Sequence, residues 1–278
     1  MLYRIAHKLL LWAGVGAPAD TGVIYIGESQ DEVADAVIGI QASTGAFEST
    51  RATLGTGVSG LYHDGTDLWE WDKLGRWVKQ RSGVSGTVLN TYDFSGNADV
   101  NAANAFVGAF VYGGKIYAGN FVDDTIIRTT GLNAVTDLAL DVGSIVGTQK
   151  PSCFVLDRQG NLIVANSTTN VIYKFRGFSL TLVDTIDLDN VVGGVGALFG
   201  LTVTDNNDLI VIDQSGPRFV WLEGFSETLY KTIVADETWD QFPQAVCAQG
   251  VLRAGTTLAG QTTPSYKRPG RRAAALFS

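Results

Sequence analysis

The sequence predicts an all-β protein, a six-bladed β-propeller with four-stranded antiparallel blades. Three observations carry that prediction: a composition rich in glycine and strand formers, a short motif recurring six times, and turn residues just ahead of most copies. The 278 residues include 33 glycines and 6 prolines, and only 17% are charged. Glycine at about 12% stands above the usual ~7%, and the charged share lies below the usual quarter, which argues against disorder and long solvated helices.

The recurring motif opens with an aliphatic residue and closes four positions later with a small polar or acidic one. Its copies are Ile24–Glu28, Leu68–Asp72, Ile116–Asn120, Leu162–Asn166, Leu209–Asp213 and Leu252–Thr256. They are spaced by 44, 48, 46, 47 and 43 residues. A period of about 46 falls in the range of four-stranded propeller blades.

The flanks supply the other strands. Turn residues precede most copies, as in Asp64-Gly65-Thr66-Asp67, Gly113-Gly114, Arg158-Gln159-Gly160-Asn161 and Asp205-Asn206-Asn207-Asp208. Glycine and asparagine accept the positive φ that tight hairpins need. Upstream lies an apolar run, such as Phe110-Val111-Tyr112 or Cys153–Leu156. Downstream comes a third strand ending in glycine, at Gly45, Gly83, Gly131, Gly177, Gly224 and Gly270, and then a fourth run. One such sheet cannot bury both faces, whereas a ring buries every face between neighbours.

These boundaries make residues 1–278 a single propeller domain with blades at about 20–55, 56–103, 104–148, 149–195, 196–239 and 240–278. In the last blade, residues 263–270 are the expected third strand and 271–278 the fourth. The first unit lacks an upstream apolar strand unless Leu9–Ala17 provides it. Arg4 and Lys8 ahead of that run, and Ala17-Pro18-Ala19 after it, also fit a signal peptide. The repeat favours a retained strand or docking segment. The run falls well short of the ~18 residues of a membrane span.

Residues Asp157–Asn166, followed by Asn170-Val171-Ile172-Tyr173-Lys174-Phe175, resemble the NHL repeat. The likeness is clearest in this fourth unit, fair in the fifth and thin elsewhere. It implies a propeller without implying a function, because propellers host many. The chain is also distantly similar to gluconolactonase-like propellers, and that resemblance would imply a divalent metal held by acids and amides at inner-strand starts. Here those starts fall near Ser59-Gly60, Val107-Gly108, Pro151-Ser152, Phe199-Gly200 and Pro243-Gln244, and none supplies the carboxylate.

The motif ends form a candidate ligand or cation ring: Glu28, Asp72, Asn120, Asn166, Asp213 and Thr256. Carboxylate and amide oxygens suit hard cations. The bland alternative is that each side chain hydrogen-bonds its own turn. Trp69, Trp71 and Trp77 either stack on sugars or fill the core between blades. Lys267, Arg268, Arg271 and Arg272 crowd together on a chain of net charge −8, and form a candidate surface for docking an acidic partner. The acids Asp123, Asp124, Asp184, Asp187 and Asp189 read as loop residues. Cys153 and Cys247 read as buried thiols. His7 and His63 neighbour no serine or cysteine in a catalytic motif, and Gly193-Gly194-Val195-Gly196 opens no phosphate-binding helix.

The acidic balance disfavours nucleic acid as a partner. The expected function is a non-enzymatic interaction or structural module without a cofactor. Its partners are other proteins of a larger assembly, such as a phage virion or tail, and it is placed in a virion or at the extracellular surface. Self-association into a homo-oligomer is also open. The alternatives are a secreted metal-dependent lactonase-like hydrolase and a glycan-binding propeller.

Overall fold

The computed structural model describes residues 21–28, 36–53, 58–84, 86–100, 106–120, 122–146, 151–213, 218–234 and 243–252. Among these residues, twenty strands form five four-stranded antiparallel sheets. Blade 2 holds β4 (Val58–His63), β5 (Leu68–Asp72), β6 (Trp77–Arg81) and β7 (Val88–Asp93). Blade 3 holds β8 (Phe106–Tyr112), β9 (Lys115–Asn120), β10 (Thr125–Thr129) and β11 (Thr136–Asp141). Blade 4 holds β12 (Pro151–Leu156), β13 (Leu162–Asn166), β14 (Val171–Phe175) and β15 (Leu182–Asp187). Blade 5 holds β16 (Leu198–Val203), β17 (Leu209–Asp213), β18 (Arg218–Leu222) and β19 (Leu229–Val234).

Blade 1 is assembled from both ends of the described chain. Strands β1 (Thr21–Glu28), β2 (Ala36–Gln41) and β3 (Phe47–Thr53) are completed by β20 (Pro243–Leu252), which pairs with β1 from Glu28↔Pro243 to Thr21↔Leu252. The inner strands β4, β8, β12, β16 and β20 each pack on the next, and β20 returns to β4. The ring therefore has five blades, not six. The inner-strand place expected of Leu9–Ala17 is filled by β20. The apolar run at residues 245–247 closes the first blade instead of opening a sixth. Residues 1–20, and the strands expected at 263–270 and 271–278, lie outside the described residues.

The core sits between blades. Trp69 and Trp71, on one face of β5, pack with Val111, Ile116 and Ala118 of blade 3. Trp221 and Phe219 of β18 pack with Ile24, Ile38 and Ile40 of blade 1. Trp71, Trp221 and Phe219 are fully buried, and each contributes about 1.5–3 kcal/mol or more through lost apolar exposure.

The seam between blades 1 and 2 is the more polar one. Tyr25, Val37 and Cys247 meet Leu61 and Leu68 there. On that same face of blade 2, buried Glu70 pairs with Arg81 at 2.7 Å.

Glycine ends the third strands for a geometric reason. Gly45, Gly83, Gly177 and Gly224 all have positive φ, a conformation that costs other residues about 1 kcal/mol or more. Each blade presents two ends: an upper face, where inner strands begin and second strands finish, and a lower face, where inner strands finish and fourth strands begin.

Candidate functional site

Two places on this ring are candidates: the axis and the ring of polar residues ending the second strands. The inner strands nearly fill the axis. Gly60, Gly108, Cys153, Phe154, Gly200 and Leu201 are among the residues lining a cavity of about 20 Å³, room for one water. Five inner strands approach closely, and small residues make the approach feasible. A Cβ on Gly200 would lie 2.6 Å from the Ile212 side chain and 2.9 Å from that of Val246.

Each inner strand bulges at its upper end. The skipped residue is Ser59 in β4, Gly108 in β8, Ser152 in β12, Phe199 in β16 and Gln244 in β20. Gly108 takes φ +59° against the Phe154 ring. None of these five residues is a carboxylate.

Four members of the polar ring are described with their side chains, and all are buried: Asp72, Asn120, Asn166 and Asp213. Each side chain is engaged with its own turn, with the chain arriving from the preceding blade, or with both. Asn120 accepts the Val122 N–H at 3.0 Å and donates to the Asp99 carbonyl at 2.8 Å. Asn166 accepts the Thr168 N–H at 2.8 Å and donates to the Val146 carbonyl at 3.3 Å. Asp213 accepts the Gly196 N–H at 2.9 Å and pairs with Arg218 at 2.5 Å. Asp72 accepts the Gly75 N–H at 2.7 Å. Glu28 ends β1 opposite Pro243. Thr256 and the basic cluster Lys267, Arg268, Arg271 and Arg272 lie outside the described residues.

The loop acids have local duties. Asp187 caps helix α1 (Leu188–Val192) by accepting the Asp189 N–H. Asp189 accepts from Asn170 at 3.2 Å and from the Val195 N–H at 3.0 Å. The Asp123 carboxylate accepts from Asn120 at 2.7 Å. Asp184 is not a loop residue: it lies within the outer strand β15, opposite Lys174, with its side chain exposed. Among the described residues, no group of three or more His, Cys, Asp or Glu side chains is arranged to hold a metal ion.

On the lower face, His63 is buried and its Nδ1 accepts the Gly65 N–H at 3.1 Å. Burial pulls its pKa below the ordinary histidine value, against the opposing fields of Asp64 and Asp67. Both cysteines are buried, and burial pushes the Cys247 thiol far up its scale, away from nucleophilic use. Burial likewise pushes the Tyr62 hydroxyl up.

Three described tryptophans are core: Trp69, Trp71 and Trp221. Trp77 is the exception at 39% exposure, three residues along the chain from Leu74 at 40%, both at the upper face. In the sequence Trp77 clusters with Trp69 and Trp71, which are buried. Its place just after the Lys73–Arg76 turn was the available signal for exposure.

The sequence matches no described protein family and no curated protein. Solved structures do share the architecture. One is a protein of unknown function from Bacteroides caccae, with a TM-score of 0.58 at 11% identity over 82% of this chain and 99% of that one. Another is a chain of a nidogen/laminin complex, with a TM-score of 0.50 at 10% identity over 83% and 99%. A third is Myxococcus xanthus glutaminyl cyclase, with a TM-score of 0.49 at 12% identity over 64% and 70%. At such identities the first two show the fold alone. The class defined is an all-β propeller of four-stranded blades, compatible with a binding or interaction module.

Proposed function

We propose that this chain is a non-enzymatic interaction module whose binding surface is its loops, acting as a component of a larger surface assembly such as a phage virion or tail. The supporting observation is the filled axis. Five inner strands leave about 20 Å³, whereas small-molecule sites run to some hundreds of Å³. In this reading the polar ring acts indirectly: Asn120, Asn166 and Asp213 staple incoming loops to blade ends, so the loops present a fixed surface. Trp77 and Leu74 are the anchors, since an exposed aromatic and an exposed leucine on one turn suit a protein partner. The NHL-like turn of residues 157–175 belongs to the same proposal as blade-building chemistry, and the basic cluster at 267–272 as a second contact.

Native mass spectrometry and pull-down from the source assembly test it, with Trp77→Ala and Leu74→Ser as variants. A discrete oligomer or captured assembly partner, lost in the double variant with unchanged melting temperature, is the expected outcome. A monomer that turns over a lactone with a bound divalent ion would replace this reading with the hydrolase.

Exposed Trp77 also favours a second reading, glycan binding by stacking. Glycan-array binding that disappears in Trp77→Ala would support it over a protein partner.

A further inference from the structure

Blades 2 to 5 are each one continuous stretch of chain, whereas blade 1 is closed by β20 against β1. Both closing strands lie against β4 of blade 2. Among the described residues the apolar cluster of that seam is the smallest of the four. At its lower corner stands His63, the last residue of β4. The imidazole is buried and lies beside the Tyr25 ring of β1, with centroids 6.3 Å apart and planes inclined by 21°. Tyr25 in turn packs with Cys247 of β20, and the Val251 carbonyl of β20 accepts the Asp205 N–H at 3.1 Å.

The surroundings of His63 suit only the neutral ring. Nδ1 accepts the Gly65 N–H at 3.1 Å, so a proton there would set two donors against each other. The nearby carboxylates are engaged elsewhere. Asp64 accepts the Thr66 and Asp67 N–H groups at 2.9 and 2.7 Å and the Trp69 indole N–H at 3.0 Å. Asp67 accepts from Gln80 at 2.7 Å, and Asp205 of blade 5 pairs with Arg158 of blade 4. Farther along the same face of blade 2, Glu70 and Arg81 pair with each other. From blade 1 the seam offers the Tyr25 ring and the Cys247 thiol, neither of which is negative at neutral pH.

We propose that His63 is an acid-operated latch on the closing blade: its protonation favours a form in which β1 and β20 lift from β4 and the imidazole meets water. This goes beyond the loop-binding reading and does not depend on it. Burial holds the imidazole below its ordinary pKa against the opposing fields of Asp64, Asp67 and Asp205. The opened form therefore takes up the proton more readily than the closed one, and acid shifts the balance toward opening. A blade made from two distant segments, behind a small and polar seam, is the part of the ring that opens at least cost.

The test is hydrogen–deuterium exchange of the full chain at about pH 7.5, 6.5 and 5.5, corrected for the intrinsic pH dependence of exchange. One proton with an ordinary pKa of about 6.5 in the opened form raises the opening constant about tenfold from pH 7.5 to 5.5. That increase is expected in peptides of β1 and β20, which should also open more often than β13 and β14 of blade 4. It should vanish in His63→Gln and persist in His7→Gln, the variant of the chain's other histidine. A flat response in β1 and β20, or an unchanged response in His63→Gln, overturns the latch. Equal protection of β1, β20 and blade 4 at the lowest pH overturns it in favour of the whole ring opening together. An increase confined to residues 63–67 overturns it in favour of a rearranged turn. Every comparison except the two variants uses the wild-type chain, so the latch stands or falls even if His63→Gln does not fold.

Discussion

The ammonium of Lys174 lies 2.9 Å from the carboxylate of Asp157, which is only 1% exposed. The same carboxylate accepts the N–H groups of Gln159 and Asn161 at 2.9 and 2.8 Å. One side chain thus shapes the hairpin turn of blade 4 and ties it to β14. Lys174→Met should leave that buried charge without its cation and cost about 2–4 kcal/mol, read as a lower urea midpoint. Burial alone would raise the Asp157 pKa, but Lys174 and Asn161 outweigh it and hold it below the ordinary value. The stabilisation is therefore present above that ordinary value and lost as pH falls through the lowered one. Lys174→Met should flatten the acid limb of the stability curve.

His63 works in the opposite sense of charge. Its Nδ1 must stay unprotonated to accept from Gly65, and burial lowers its pKa. The unfolded chain then binds the proton more readily, so stability holds above the unfolded value near 6.5 and declines as pH falls below it. Equilibrium unfolding between about pH 7 and pH 5 should show this slope, and His63→Gln should remove most of it.

Closure by β20 predicts a sharp contrast between two truncations. A chain ending at Leu252 keeps all twenty described strands and should melt cooperatively. A chain ending before Pro243 leaves blade 1 with three strands and exposes the inner edge of β1. It should lose the cooperative transition in circular dichroism.

Gly200→Ala probes the narrowness of the axis. Its new methyl would meet Ile212 and Val246 side chains closer than ordinary contact allows. The expected loss is about 1–3 kcal/mol in chemical denaturation.

Acrylamide quenching separates the two roles of tryptophan. Trp77→Phe should remove a readily quenched share of the fluorescence. Trp71→Phe, at a fully buried site, should remove emission that acrylamide barely reaches.

Much of this architecture is legible in the sequence because its local chemistry repeats. Gly177 and Gly224 mark third-strand ends through their positive φ. Asn161 and Asp208, at matching positions, accept the N–H groups of those glycines at 3.0 and 2.7 Å. The blade count was harder to read. Leu252–Thr256 matches the second-strand motif, yet Leu252 is the last residue of an inner strand. A pattern along the chain cannot tell a strand that begins a new blade from one that returns to the first, because that choice is made by long-range pairing. The five inner-strand starts, counted from Ser59 to Gln244, give the number of blades directly. At the polar ring, hydrogen bonding to the local turn was legible, since Asn and Asp favour it. The second partners, Asp99, Val146 and Gly196, lie on connections from the preceding blade and leave no local signal.

The β1–β20 pairing also sets how the molecule bears a load. Its two strands run antiparallel, with Thr21 and Leu252 paired at one end. Tension drawing those ends apart meets the ladder at its last rung and opens the bonds singly, like a zipper, instead of shearing them together. A ring pulled at Thr21 and Leu252 should yield first at its clasp and at low force, with the four single-segment blades following.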